Sequence, residues 1–391
     1  MSRIDVHALA ASALDALHRG DARKARESFQ QVVDQGQPDA GSLLALAQAC
    51  RLLDDAAAAM AAVDKALSLE PRNFRALMLK ADLLATLGDD RAASSYYQYA
   101  VQAAPSADQL VPDLRREIER AQAMCHRYAQ KFEQFLLERL QGTGTSHSPS
   151  SARFRQSLDI LLGKKNRYVQ QPQAFYFAEL PQIQFYDRSV FPWMDQVEAA
   201  TGAIRGELAQ LLEDGSGFMP YVEGDPRRPR KDQSGMQDNP DWSAFYLWKN
   251  GQAVPQNVAR CPMTAAVVAK VPFSDVSNRS PSVLFSLLRP GARIPPHSGL
   301  VNTRLICHLP LIVPPGCGFR VGNDTRTPVE GQAWVFDDTI EHEAWNSSNQ
   351  TRVILLFEVW RPELSDEERG LVRAMFEAID DYSGQQPSWS I

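Results

Sequence analysis

Apolar positions in the first hundred residues recur every three or four places, the spacing that turns one helical face toward a core. The pattern returns as a block. Gly20-Asp21, Asp54-Asp55 and Gly88-Asp89 stand 34 residues apart, and Ala25, Ala59 and Ala93 follow in register. Phe29, Val63 and Tyr97 come four places later, then Val32, Ala66 and Ala100. Small residues at matched positions let two helices approach, and the bulky residue after them fills the gap. Pro71 and Pro105 close two units at the same interval, where a ring without an N–H ends a helix. Residues 107–141 continue as helix, with Leu110, Leu114, Ile118, Ala121 and Cys125 on one stripe.

This period resembles the tetratricopeptide repeat over about residues 5–105. The resemblance implies a stacked helical domain that binds a peptide or protein, with residues 107–141 as its capping helix. The run 142–152 is small and polar without an apolar period, which reads as a linker. The domains expected are therefore 1–141, helical, and 153–391, a second domain after the linker.

Beyond about residue 170 the pattern changes to short runs broken by Gly and Pro. Strands are expected at Ser243–Trp248, Ala265–Val271, Val283–Leu288, Arg304–Leu311, Gly318–Val321, Gln332–Phe336 and Arg352–Val359. Two helices are expected here, Pro192–Leu212 and Ser365–Asp380. The second opens with Ser365 and Glu368 as a capping box. Helices followed by many short strands make a multidomain α + β chain, with a sandwich or barrel second.

The length of 391 residues suits two or three domains, and a net charge of −6 argues against a dedicated nucleic-acid binder. The basic run Arg227–Lys231 is short and reads as a solvated loop or a steering patch. No run is long and apolar enough for a membrane span, and the first 30 residues show no secretory signal. Five scattered cysteines without CxxC spacing suggest neither a disulfide frame nor a zinc site, so a cytoplasmic setting is expected.

Candidate chemistry concentrates in the β region. His297, His308 and His342 are three of the seven histidines. His297 is expected on a loop leaving a strand, and His342 at the approach to one. A His pair brought together by a barrel can bind a transition metal. A familiar iron site adds a carboxylate two residues after the first His, and that place is Gly299. Asp337, Asp338, Glu341 and Glu343 are alternative donors. Ser286, Arg304, His308 and Arg352 could surround a dicarboxylate, since an arginine inside a barrel needs an anionic partner.

Several motifs together resemble the aspartyl/asparaginyl β-hydroxylase family. They are Leu288–Gly291 running to Pro296–Gly299, Asn302–Leu309, Phe336–Trp345, Arg352 and Val359–Leu364, with Phe191–Trp193 upstream, over about residues 170–375. The resemblance implies a double-stranded β-helix (cupin-like) fold and a hydroxylase using Fe(II), with 2-oxoglutarate and O2 as cosubstrates. It implies His297 and His342 as metal ligands with no carboxylate ligand, which suits Gly299. It places Ser286, His308 and Arg352 around 2-oxoglutarate. Arg304 matches an arginine of the family, whereas a further family arginine is replaced here by Ile306. The acceptor implied is the β-carbon of Asp or Asn in a peptide or protein recruited by the repeats. Alternatives are a fatty acyl chain, a free amino acid, or a repeat-based adaptor without catalysis.

Overall fold

The structure is a computed structural model that describes residues 6–35, 38–105, 112–140, 149–215, 217–223 and 235–383. The chain divides into two units, Met1–Leu162 and Gly163–Ile391.

In the first unit the period of 34 is a local signal for starting helices. Asp21, Asp55 and Asp89 are N-caps whose carboxylates accept from the backbone N–H three residues on, at 3.0–3.1 Å. The residue before each cap is left-handed: Gly20 at φ +82°, Asp54 at +57° and Gly88 at +81°. Six helices follow in sequence, α1 (Val6–His18), α2 (Ala22–Asp34), α3 (Ala40–Leu52), α4 (Ala56–Leu69), α5 (Phe74–Thr86) and α6 (Asp90–Ala103). Ala25, Ala59 and Ala93 are wholly buried, and Phe29, Val63 and Tyr97 fill the space beside them. Helix α7 (Pro112–Leu140) packs Ile118 and Ala121 in one cluster with Tyr97 and Ala100 of α6. Leu110 and most of the expected linker, with His147, lie outside the described residues. Helix α8 (Pro149–Leu161) begins inside the expected linker span.

The second unit is β-rich. Helices α9 (Met194–Ala199) and α10 (Thr201–Asp214) replace the single expected helix. The break falls where the Thr201 hydroxyl donates to the Glu198 carbonyl at 2.6 Å. Strands β1 (Met219–Pro220), β2 (Trp242–Lys249) and β3 (Gln252–Ala253) precede α11 (Pro255–Arg260) and α12 (Pro262–Val268). Helix α12 occupies most of the strand expected at Ala265–Val271. Pro262 starts it, and the Glu207 carboxylate on α10 accepts from the N–H groups of Met263 and Thr264 at 2.7 and 2.9 Å. That cap comes from 56 residues away and is invisible to a local pattern.

Strands β4 (Val283–Leu288), β5 (Arg293–His297), β6 (Arg304–Ile312), β7 (Cys317–Val321), β8 (Asp324–Arg326), β9 (Trp334–Phe336), β10 (His342–Asn346) and β11 (Arg352–Trp360) follow, then α13 (Asp366–Ser383). Two antiparallel sheets result. The larger runs β1-β2-β4-β11-β6-β9, with β3 beside β2, and the smaller runs β5-β10-β7-β8. Alternation along each strand sorts the larger sheet's side chains between two faces. Phe285, Leu305, Cys307, Leu309, Leu355 and Phe357 pack with Met194, Val197, Ile204 and Leu208 of the helices. Leu284, Leu288, Ile306, Phe336, Ile354 and Leu356 pack with Ile294, Phe319, Val321 and Ala344 of the smaller sheet. The site lies on this inner face.

Candidate active site

His297 ends β5 and His342 begins β10, directly opposite each other in the antiparallel register. The expected loop position of His297 is thus the last residue of a strand. The two ring centroids are 4.1 Å apart. His297 Nδ1 meets the Pro295 carbonyl at 2.8 Å, and His342 Nδ1 meets the Ile340 carbonyl at 3.1 Å. A carbonyl only accepts, so both rings carry their proton on Nδ1 and keep a lone pair on Nε2. Burial pushes the His342 pKa well below its ordinary value, reinforced by His297, and lowers that of His297 also. Two adjacent neutral imidazoles with fixed tautomers suit a transition metal. Among the described residues no group of three or more His, Cys, Asp or Glu side chains is gathered to hold a metal ion.

Of the four candidate carboxylates, only Asp338 reaches the site. Asp337 binds Arg361 at 3.0 Å, Glu341 binds Arg320 at 2.8 Å, and Glu343 pairs with Arg293 and Arg320. A Cβ added to Gly299 would lie 2.0 Å from Asp338 Oδ2. The Asp338 carboxylate therefore fills the space that a side chain at 299 would take. The Gly299 N–H also donates to the Asp338 carbonyl at 2.6 Å, which locks the two segments together. Burial, outweighing the pull of Arg304, raises the Asp338 pKa to about 6.

Ser286, Arg304, His308 and Arg352 come from three neighbouring strands, all at inner-face positions. Their strands are joined by the registers Ser286↔Ile354, Leu288↔Arg352 and His308↔Leu356. Arg304 has carboxylate neighbours, with Asp338 at 3.2 Å and Glu358 at 3.5 Å. Burial opposes its charge, but these two acids hold its pKa above the ordinary guanidinium value. Arg352 is only 2% exposed, and its Nε and Nη2 meet no hydrogen-bond partner among the described residues. Burial lowers its pKa to about 10, which still leaves it charged at neutral pH. His308 Nδ1 is likewise buried and without a partner there, and its pKa lies well below the ordinary value through burial and the charge of Arg352. Ser286 Oγ accepts from Trp242 Nε1 at 3.1 Å, leaving its own hydrogen to donate elsewhere. An uncompensated buried guanidinium costs several kcal/mol, by an estimate of roughly 3–5 kcal/mol, so an anion is the natural occupant.

The residues around this face match a known family. Residues 198–362 match the family model described as aspartyl/asparaginyl beta-hydroxylase, and they include all six candidate residues. The likeness over these residues is to the aspartyl/asparaginyl β-hydroxylase family. The mouse aspartyl/asparaginyl beta-hydroxylase is 34% identical over 169 residues, which is 42% of this chain and 21% of that protein. The ornithine lipid ester-linked acyl 2-hydroxylase of Rhizobium tropici is 34% identical over 189 residues, covering 48% of this chain and 63% of that protein. The matched region thus spans about a fifth of the mouse relative and under two thirds of the Rhizobium one. Hydroxylase is the activity these names share. Residues 40–73 and 74–106 match the tetratricopeptide repeat, and α3–α6 are the helices of those two matches. The SycD chaperone of Yersinia enterocolitica aligns with a TM-score of 0.31 and 18% identity, over 33% of this chain and 96% of that one.

Sequence reasoning missed three members of the site. Trp242 holds Ser286, and Trp334 stands opposite His308. Arg361, wholly buried, grips Asp337 and so fixes the turn that carries Asp338 and His342. The strand alternation through Trp334 and Phe336 was the one available signal. The others depend on contacts between distant segments. The basic run at Arg227–Lys231 lies outside the described residues. No described helix is long and apolar enough to cross a membrane.

Proposed function

We propose that residues 153–391 form an Fe(II)- and 2-oxoglutarate-dependent dioxygenase, with its two sheets folded as a double-stranded β-helix. The observation that carries this reading is the pairing of His297 and His342, 4.1 Å apart with both Nδ1 atoms engaged, on the same inner face as Arg352, whose Nε and Nη2 meet no partner among the described residues. The donor set fits the cofactors, since two free Nε2 lone pairs suit iron and the open donors of Arg352 and His308 suit a carboxylate. With iron held by His297 and His342, the metal would supply dioxygen activation for converting 2-oxoglutarate, O2 and a C–H substrate into succinate, CO2 and an alcohol.

The protein's own tasks are binding, orientation and exclusion of water. Arg352 and Ser286 hold one carboxylate of 2-oxoglutarate, and His308 takes part at the other end. The Asp338 carboxylate fills the space beside Gly299 and is tied there by Arg304. The apolar inner face of Ile306, Phe319, Phe336 and Leu356 keeps water from the cosubstrate.

The acceptor proposed is the β-carbon of an Asp or Asn residue in a peptide or protein, recruited by the repeats in a cytoplasmic setting. The likeness to the Rhizobium acyl 2-hydroxylase favours a second acceptor, a fatty acyl chain, for the same chemistry. The test is anaerobic titration with ferrous ion, followed by succinate release. Native protein takes up one iron, whereas His297→Ala and His342→Ala lose uptake and turnover while their far-UV circular dichroism stays native. Equal iron uptake in either variant rejects the ligand assignment. Asp-containing peptides and acyl substrates, offered separately, then decide the acceptor by which one accelerates succinate release.

A further inference from the structure

We infer that Trp334 is a cosubstrate-binding residue, its indole N–H donating to the same carboxylate that His308 meets and serving where Ile306 replaces the family arginine. The inference rests on the reading of the site given above.

Trp334 is 8% exposed, and its Nε1 is buried without a hydrogen-bond partner among the described residues. A buried indole N–H ordinarily finds an acceptor. Leaving it unmet costs about 1–3 kcal/mol. Packing alone gives no reason for that cost. Trp334 stands in a cluster with Phe185, Phe319 and Phe336, where a phenyl ring would fill the space without stranding a donor.

Its position says which ligand would satisfy it. Trp334 on β9 is directly opposite His308 on β6, with ring centroids 6.3 Å apart. Ile306 is opposite Phe336 in the same pairing, so Ile306 and Trp334 are inner-face neighbours on adjacent strands. His308 Nδ1 is itself unmet among the described residues. The open donors of the inner face therefore form two groups. His308 and Trp334 lie on the β6–β9 side, while Arg352 and Ser286 lie on β11 and β4. A small dicarboxylate has two ends and can satisfy both groups at once. On this account one end meets a guanidinium and the other meets neutral donors.

The experiment is calorimetric titration of the full chain, first with manganese(II) and then with 2-oxoglutarate. Trp334→Phe removes the donor and keeps an aromatic ring, and Trp334→Leu serves if the phenyl variant does not fold. A hydrogen bond to a charged group supplies about 1.5–3 kcal/mol, so 2-oxoglutarate affinity should fall between about 10- and 100-fold. Manganese affinity should stay at its native value, and the unfolding midpoint of the ligand-free protein should not fall below native, since the variant no longer strands a donor. A variant that binds 2-oxoglutarate as tightly as native protein overturns the inference. So does a variant in which metal affinity and stability fall in step with cosubstrate affinity, since that marks a packing role. Native protein that binds manganese but no 2-oxoglutarate overturns the underlying reading, an outcome distinct from either.

Discussion

A single guanidinium concentrates the energetics of the site. Arg352 is charged at neutral pH and sealed within the inner face, and no described group accepts from its Nε or Nη2. A buried charge of this kind costs stability, and a bound anion would offset that cost. Arg352→Met should therefore move two measurements in opposite directions. The ligand-free protein should gain about 1–3 kcal/mol of stability in denaturant titrations, because an uncompensated buried charge is removed. Its 2-oxoglutarate affinity, measured by calorimetry, should lose about 2–5 kcal/mol, the usual cost of truncating one partner of a buried charged pair. A variant that loses both would mean that Arg352 has a partner in the free protein. Glycine matters at one point here. Any side chain at 299 would collide with the Asp338 carboxylate, so the absent ligand and the nearby acid are two faces of one steric fact.

Elements in the first unit start where the local chain dictates. Asp caps, left-handed residues before them and buried alanines recur at each 34-residue step, and each works within a few bonds of itself. The middle unit departs at Asp54, which takes φ +57° where the flanking units use Gly20 and Gly88. A side chain in the left-handed region costs energy that glycine avoids. Asp54→Gly should therefore raise the stability of the repeats by about 0.5–1 kcal/mol, read as a higher denaturation midpoint. The capping box of α13 was legible for the same reason: Glu368 accepts from the Ser365 N–H at 2.7 Å, and the Glu368 N–H donates to Ser365 Oγ at 3.2 Å. Helix α12 was not legible. Its valines favour a strand locally, and a carboxylate from α10 reverses that preference.

At the scale of the whole β-rich unit, one buried hub joins segments far apart in sequence. Arg361 donates to Asp337 at 3.0 Å, to the carbonyls of Asn302 and Pro181 at 3.0 and 2.7 Å, and to Tyr186 at 2.7 Å. Asp337 in turn accepts from Gln170 at 2.6 Å and from the Thr339 N–H at 3.0 Å. The hub thus pins the turn that carries Asp338 and His342 to the chain's upstream segment. Removing one side leaves a buried carboxylate unpaired. Arg361→Met should cost about 3–5 kcal/mol of unfolding free energy in urea titrations. Metal affinity should fall with it, since His342 follows that turn. A loss under 1 kcal/mol would show that the hub does not hold the turn.

The repeat period, the caps, the alternating strands and the residue types of the site were all present in the linear chain, because each is set by neighbours within one turn or one strand. Folding decided what those residues became. Register put His297 opposite His342 and Trp334 opposite His308. Packing gave Arg304 two acids and left Arg352 with none among the described residues at its Nε and Nη2. Partnership and burial are properties of three-dimensional neighbours, and residues dozens of positions apart acquire them only when the sheets close over each other.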